Sequence, residues 1–219
     1  GDQPATFAAL QELAELLGCA VVDRGDFAFP STHPHDLTTS TERALRDADV
    51  VLALNVYDLG TIAPVPHQRG GRHSFVPDDA KVIHITMSDY LQRSWSSDYE
   101  KLPAVDVLIG ANVAQALPEL LRVVRHELNA FPTSAAAAAK RRPEVEKLHH
   151  EARARAAERA KAEIDASPIS AARLYGDIAE RTKGTPWAMS RLPRAFVEVT
   201  ERGQTLGGGT RGGGLGYAY

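Results

Sequence analysis

Three short and almost uninterrupted apolar segments constrain the fold of this chain more than any other feature. They read DVVLAL at 49–54, KVIHITM at 81–87 and VDVLIG at 105–110, and amphipathic helical segments alternate with them. Parallel strands that are buried on both faces form near-continuous apolar runs. Their alternation with helices is typical of βαβ units. The sequence therefore predicts an α/β fold with an open, Rossmann-like parallel sheet and helices on both faces.

Four further segments have clear local signals. Apolar residues at helical spacing over 4–17 predict a first helix, and Gly18 is placed to end it. The apolar segment 19–22 predicts a strand beside the other three. Asn112 is suited to cap a helix over 113–128, and Ser170 to cap another that ends near 184.

We expect three parts along the chain. Residues 1–130 form the Rossmann-like domain, whose first strand we expect to be missing from this sequence. Residues 131–166 are rich in alanine and charge, which favours a surface linker helix. Residues 167–219 open a second α/β domain that we expect to be incomplete. We interpret both ends of the sequence as cut edges.

Composition narrows the class of protein. The net charge of −3 provides no overall positive field for nucleic acid, and a single cysteine, Cys19, cannot form an intramolecular disulfide framework. No apolar run approaches the length of a membrane span. We therefore expect a cytoplasmic protein that binds neither nucleic acid nor membrane.

The histidines do not have the spacing of a metal site. His33 and His35 flank Pro34, and the adjacent His149 and His150 point in different directions on a helix. No His-x-x-x-His pair or cysteine-rich cluster accompanies them, and no Gly-x-Ser-x-Gly segment indicates a hydrolase. We expect structural or surface roles for the histidines and no metal ligand in this chain.

The sequence GGGTRGGGLGYAY at 207–219 suggests a binding segment. Glycine lets the backbone approach a ligand closely because no Cβ intervenes, and glycine-rich backbone often receives phosphate or a flat cofactor. The alternative interpretation is a flexible tail.

Several segments together resemble the thiamine-diphosphate-dependent enzymes typified by acetolactate synthase, benzoylformate decarboxylase and oxalyl-CoA decarboxylase. FAALQELAELLGCAVV at 7–22 looks like the first helix and second strand of that family's central domain. ALRDADVVLAL at 44–54, followed by KVIHITM and VDVLIGA, looks like its later half. PISAARLYGDI at 168–178 and GGGLGYAY at 212–219 look like the start of the C-terminal cofactor domain.

The resemblance implies cofactor-binding roles for Gly212, Gly213, Gly214 and Leu215. The Gly213 carbonyl would accept a hydrogen bond from the cofactor's amino group. Leu215 would lie beneath the cofactor and enforce its bent conformation, with its backbone N–H meeting a ring nitrogen. The resemblance implies no catalytic residue in this chain, because the family's activating glutamate belongs to a domain that this sequence lacks.

The resemblance also implies an activity for the complete protein. It would be decarboxylation, or C–C bond formation or cleavage, on 2-keto acids or acyl-CoA-type substrates, with thiamine diphosphate and Mg²⁺ as cofactors. The Gly-Asp-Gly motif that holds Mg²⁺ does not occur here. We therefore expect this chain to be inactive by itself, and the complete enzyme to be a homo-oligomer, a dimer or tetramer, with a small-molecule substrate.

Two alternatives remain open. The chain could be a non-catalytic Rossmann-like nucleotide-binding module, or one subunit of a split enzyme completed by a partner chain. Family members keep FAD or ADP on the central domain, where the strand ends would place Asn55, Tyr57, Asp58, 86–89 and 111–112 near one crevice. Without a G-x-G-x-x-G fingerprint, we favour a domain that has lost its nucleotide.

Overall fold

The protein has an α/β fold built on a three-stranded parallel sheet. The computed structural model describes residues 4–23, 29–56, 59, 76–87, 104–182, 188–189 and 211–212. Their elements are, in chain order, α1 (Pro4–Leu17), a 3₁₀ turn (Thr38–Ser40), α2 (Thr41–Arg46), β1 (Val50–Leu54), β2 (Lys81–Thr86), β3 (Val107–Gly110), α3 (Val113–Ala130), α4 (Pro132–Ala162), α5 (Ala171–Thr182), β4 (Ala188–Met189) and β5 (Arg211–Gly212).

The described residues divide into two compact units. The sheet unit contains the described residues of 40–120, and the terminal unit contains those of 1–39 and 121–219. Among the described residues, no helix combines the length and apolar character that a membrane crossing needs.

The three apolar segments form the strands that the sequence predicts. The strand order is β1-β2-β3, with Leu54 beside Ile85 and Thr86 beside Gly110. Val51 and Ala53 are buried on β1, and Leu45 of α2 packs against both of the core clusters that they belong to. All four residues of β3 are exposed. Coverage of the sheet by helices on both faces stays a prediction.

The prediction of a fourth strand at 19–22 in this sheet is wrong. Val21 instead makes an isolated parallel bridge with Asp36 within the terminal unit. The Val21 N–H donates to the His35 carbonyl, and the Leu37 N–H donates to the Val21 carbonyl, each at 2.8 Å. An apolar run specifies extended backbone, but it does not specify which segment supplies the hydrogen-bonding partner.

Helix α1 ends at Gly18 as predicted, and α4 packs against that end. Gly18 has a φ of 60°, and a Cβ at this position would lie 2.2 Å from the Ala138 carbonyl oxygen. The Arg141 and Arg142 side chains of α4 donate to the carbonyl oxygens of Leu17 and Glu15, each at 2.8 Å. These bonds satisfy acceptors that the end of α1 leaves open.

The charged segment 131–166 is largely helical, but α4 is more than a solvated linker. One stripe of the helix is buried, and it consists of Ala138, Val145, His149, Ala152 and Ala156. Small side chains let two backbones approach each other closely, as those of Ala138 and Gly18 do. The domain boundaries at 130 and 166 stay predictions.

The predicted helix caps are confirmed. The Asn112 side-chain oxygen accepts from the Ala114 N–H at 2.9 Å at the start of α3. The Ser170 hydroxyl oxygen accepts from the Arg173 N–H at 3.1 Å at the start of α5. Both bonds satisfy an N–H group that has no partner within the first turn.

Candidate functional site

The carboxyl ends of the three parallel strands form one edge of the sheet unit. Asn55 follows β1, and its N–H donates to the Ile85 carbonyl at 2.8 Å. Its φ of 51° lies in the left-handed region, which asparagine tolerates better than most residues. Thr86 ends β2, and Ala111 and Asn112 follow β3. The described part of the predicted crevice therefore comes together along this edge.

The described residues of this edge offer few polar side chains to a ligand. Thr86 is fully buried, and the Asn112 side chain is committed to its cap. A Cβ at Gly110 would meet nothing within 4 Å, so there is open space beside the end of β3. A phosphate here would rely on backbone N–H groups, because none of these edge residues is cationic. The other predicted crevice residues, Tyr57, Asp58 and 88–89, lie outside the described residues.

One of the four predicted cofactor-binding residues falls in the described part of the chain. Gly212 lies in β5 and pairs in parallel with Met189 of β4. Gly213, Gly214 and Leu215 lie outside the described residues. By chemical type, a glycine carbonyl, a backbone N–H and an apolar side chain fit a flat aminopyrimidine ring with both donor and acceptor groups. The cofactor site stays a prediction.

Sequence reasoning missed a buried histidine cluster in the terminal unit. His33, His35 and His149 are 6%, 2% and 6% exposed. The His33 Nε2 lies 3.1 Å from Glu15 Oε1 on α1, and the His149 Nδ1 donates to the Asp36 carbonyl at 2.7 Å. The segment between α1 and the 3₁₀ turn is thereby tied to α1 and to α4.

The carboxylates beside this cluster serve the local fold. The Thr38 hydroxyl donates to Asp36 Oδ1 and accepts from the Asp23 N–H at 3.0 Å. Asp23 Oδ2 accepts from the Phe29 N–H at 3.3 Å. The described residues include no group of three or more His, Cys, Asp or Glu side chains that could hold a metal ion.

The single cysteine is poorly suited to nucleophilic chemistry. Burial raises the pKa of the Cys19 thiol, and the nearby Arg141 charge opposes this effect only in part. The thiolate is the reactive form of cysteine, so a raised pKa favours the protonated, less reactive form at neutral pH.

No protein-family model matches the sequence, and no curated protein matches it either.

Proposed function

We propose that this chain supplies the central domain and the opening of the cofactor domain of a thiamine-diphosphate-dependent decarboxylase or carboligase. The observation that carries the proposal is the parallel sheet. Its strands β1, β2 and β3 lie on the segments that resemble the later half of the family's central domain. The Ser170-capped helix α5 lies on the segment that resembles the start of the cofactor domain.

The proposal includes finer features of the fold. Helices would cover the sheet on both faces in a Rossmann-like arrangement, and residues 167–219 would begin a second α/β domain. The complete enzyme would be a cytoplasmic homo-oligomer acting on a 2-keto acid or an acyl-CoA-type substrate. A partner chain that supplies the remaining domains is the variant of this proposal in which the enzyme is split.

The residues proposed for cofactor binding have distinct roles. The carbonyl of Gly213 would accept a hydrogen bond from the cofactor's amino group, and the backbone N–H of Leu215 would donate to a ring nitrogen. The Leu215 side chain would give the cofactor apolar support, and Gly212 and Gly214 would let the backbone approach it because they lack a Cβ. Bound thiamine diphosphate supplies the electron sink for cleaving or forming a bond next to a carbonyl group. Mg²⁺ would be held by residues that this sequence does not contain.

The test uses the complete natural polypeptide that carries this sequence. Thiamine diphosphate affinity with Mg²⁺ is measured by calorimetry, and exchange of the cofactor's C2 proton by NMR. Leu215→Ala removes the apolar support, and Leu206→Ala makes the same change immediately before the glycine-rich segment 207–219. We expect Leu215→Ala to raise Kd by about tenfold or more, because truncating a packed leucine costs about 2–5 kcal/mol. C2 exchange should slow with Leu215→Ala, and Leu206→Ala should behave like the wild type.

Two outcomes would reject the proposal. If the wild-type polypeptide binds no thiamine diphosphate but binds ADP or FAD, the chain belongs to a nucleotide-binding module. If the two leucine variants behave alike in affinity and in exchange, the assignment of Gly213 and Leu215 is wrong and the glycine segment is a tail.

A further inference from the structure

The buried histidines connect three parts of the terminal unit. His33 and His35 lie in the segment 29–38, which follows α1, and His149 lies on α4. The rings of His33 and His35 meet edge to face, with centroids 5.2 Å apart. The same segment carries the backbone bridge between Val21 and Asp36. We call the segment 29–38 with its contacts to α1 and α4 the histidine clasp.

The hydrogen bonds of His33 decide which nitrogen of its neutral ring carries the proton. The His35 backbone N–H can only donate, and it points to His33 Nδ1 at 3.1 Å, so this nitrogen must keep its lone pair. The proton of neutral His33 then sits on Nε2, where it is donated to Glu15 Oε1.

His35 is the more sensitive ring. Its Nδ1 is buried and has no hydrogen-bond partner, so protonation would create a buried N–H⁺ without an acceptor. Burial lowers the pKa of His35, and the neighbouring His33 lowers it further. The groups that act in the opposite sense are the Cys19 and Ala14 backbone and the Glu146 carboxylate of α4.

The other titratable groups around the clasp do not supply an acceptor for that proton. Those that face it include Glu15 from α1, Cys19 and Asp23 after α1, Glu146 and His149 from α4, and Asp36 within the segment. His149 donates through Nδ1 to the Asp36 carbonyl. This bond ties the segment to α4.

We infer that the histidine clasp is a pH-sensitive device: it holds the segment 29–38 on α1 and α4 at neutral pH and releases it on acidification. Because the folded pKa of His35 is lowered, the released segment binds more protons than the docked one. The free energy of docking is therefore fully present above the free-histidine value of 6.5 and is lost as the pH falls below it. This device does not depend on the proposed enzymatic activity.

Hydrogen exchange of the full chain tests the inference. The Val21 and Leu37 amides report docking directly, because they form the bridge to the segment. After correction for intrinsic exchange, their protection should fall from pH 7.5 to pH 5.5, by at most about tenfold per pH unit for one proton. His35→Gln should flatten this dependence. His126→Gln, at an exposed position on α3, should leave it as in the wild type.

Three results would overturn the inference. One is protection of Val21 and Leu37 that does not change with pH, and another is an equal loss at the Ile83 amide of β2, which would show global unfolding. The third comes from the NMR titration of His35 in the wild-type chain. A midpoint at or above about 6.5 would contradict the clasp even if the His35→Gln variant fails to fold.

Discussion

At the scale of single residues, Gly18 occupies a position that has no room for a side chain. Its backbone is in the left-handed region, and the Ala138 carbonyl oxygen occupies the place of a Cβ. Gly18→Ala should lower the free energy of unfolding by about 2–4 kcal/mol, from the backbone penalty and from displacement of α4. Urea unfolding followed by helical circular dichroism measures the change.

Gly176 is the matched control for this substitution. It lies inside α5, and a Cβ there would meet nothing within 4 Å. Gly176→Ala should therefore raise stability by about 0.5–1 kcal/mol, because alanine loses less backbone entropy in a helix. An unchanged or higher stability of Gly18→Ala, beside the expected gain with Gly176→Ala, would contradict the close approach of α4 to Gly18.

Residue identity also shows where sequence reasoning stops. The end of α1 at Gly18 and the caps at Asn112 and Ser170 were predictable, because each depends on residues within one helical turn. The burial of His33 and His149 was not. Their partners are 18 and 113 residues away in the sequence, and no local pattern encodes such a contact.

At the scale of elements, an ion pair joins β2 to the residue before β3. Asp106 Oδ1 lies 2.8 Å from Lys81 Nζ, and Asp106 Oδ2 accepts from the Val82 N–H at 2.9 Å. The hydrogen bond from Lys81, and then the one from Val82, hold the pKa of Asp106 below its usual 3.8. The stabilisation is therefore present above that value and is lost as the pH falls through the lower folded value.

Asp106→Asn should reveal this dependence. The variant should be less stable than the wild type at pH 5, and the gap should close as the pH falls towards 2, because the wild type loses the same charge. Asp79→Asn removes an equal charge at an exposed position and should show no such convergence. Thermal unfolding of the three proteins across this pH range gives the comparison. A gap between Asp106→Asn and the wild type that is constant with pH would contradict the assignment.

The positions of the strands along the chain follow from the sequence, but their pairing partners do not. β1, β2 and β3 fall within one or two residues of the apolar segments that predict them, although all four residues of β3 are exposed. The segment 19–22 has the same character but bridges to Asp36 instead of joining the sheet. The sequence also did not predict the buried stripe of α4, because this stripe consists mainly of alanine, which indicates a helix but not burial.

At the scale of the whole molecule, the candidate site is less determined than the fold. The strand ends bring Asn55, Gly110 and Asn112 to one edge, which follows from parallel topology and could be predicted. The glycine segment is different, because its function depends on a ligand and not on packing. Of its predicted residues, Gly212 alone is placed, in β5.

The division into two compact units predicts how far the effect of a destabilising substitution extends. Gly18 and Ala138 both belong to the terminal unit, whereas β1, β2 and β3 belong to the sheet unit. Proteins often open in separate cooperative units, so a local destabilisation should stay within its own unit. Gly18→Ala should therefore speed hydrogen exchange in α1 and α4 while amides of β1 and β2 keep nearly wild-type protection. Asp106→Asn at pH 5 should give the reverse pattern. Exchange measured on both variants decides the matter, since equal acceleration in both units would show that the chain unfolds as one cooperative body.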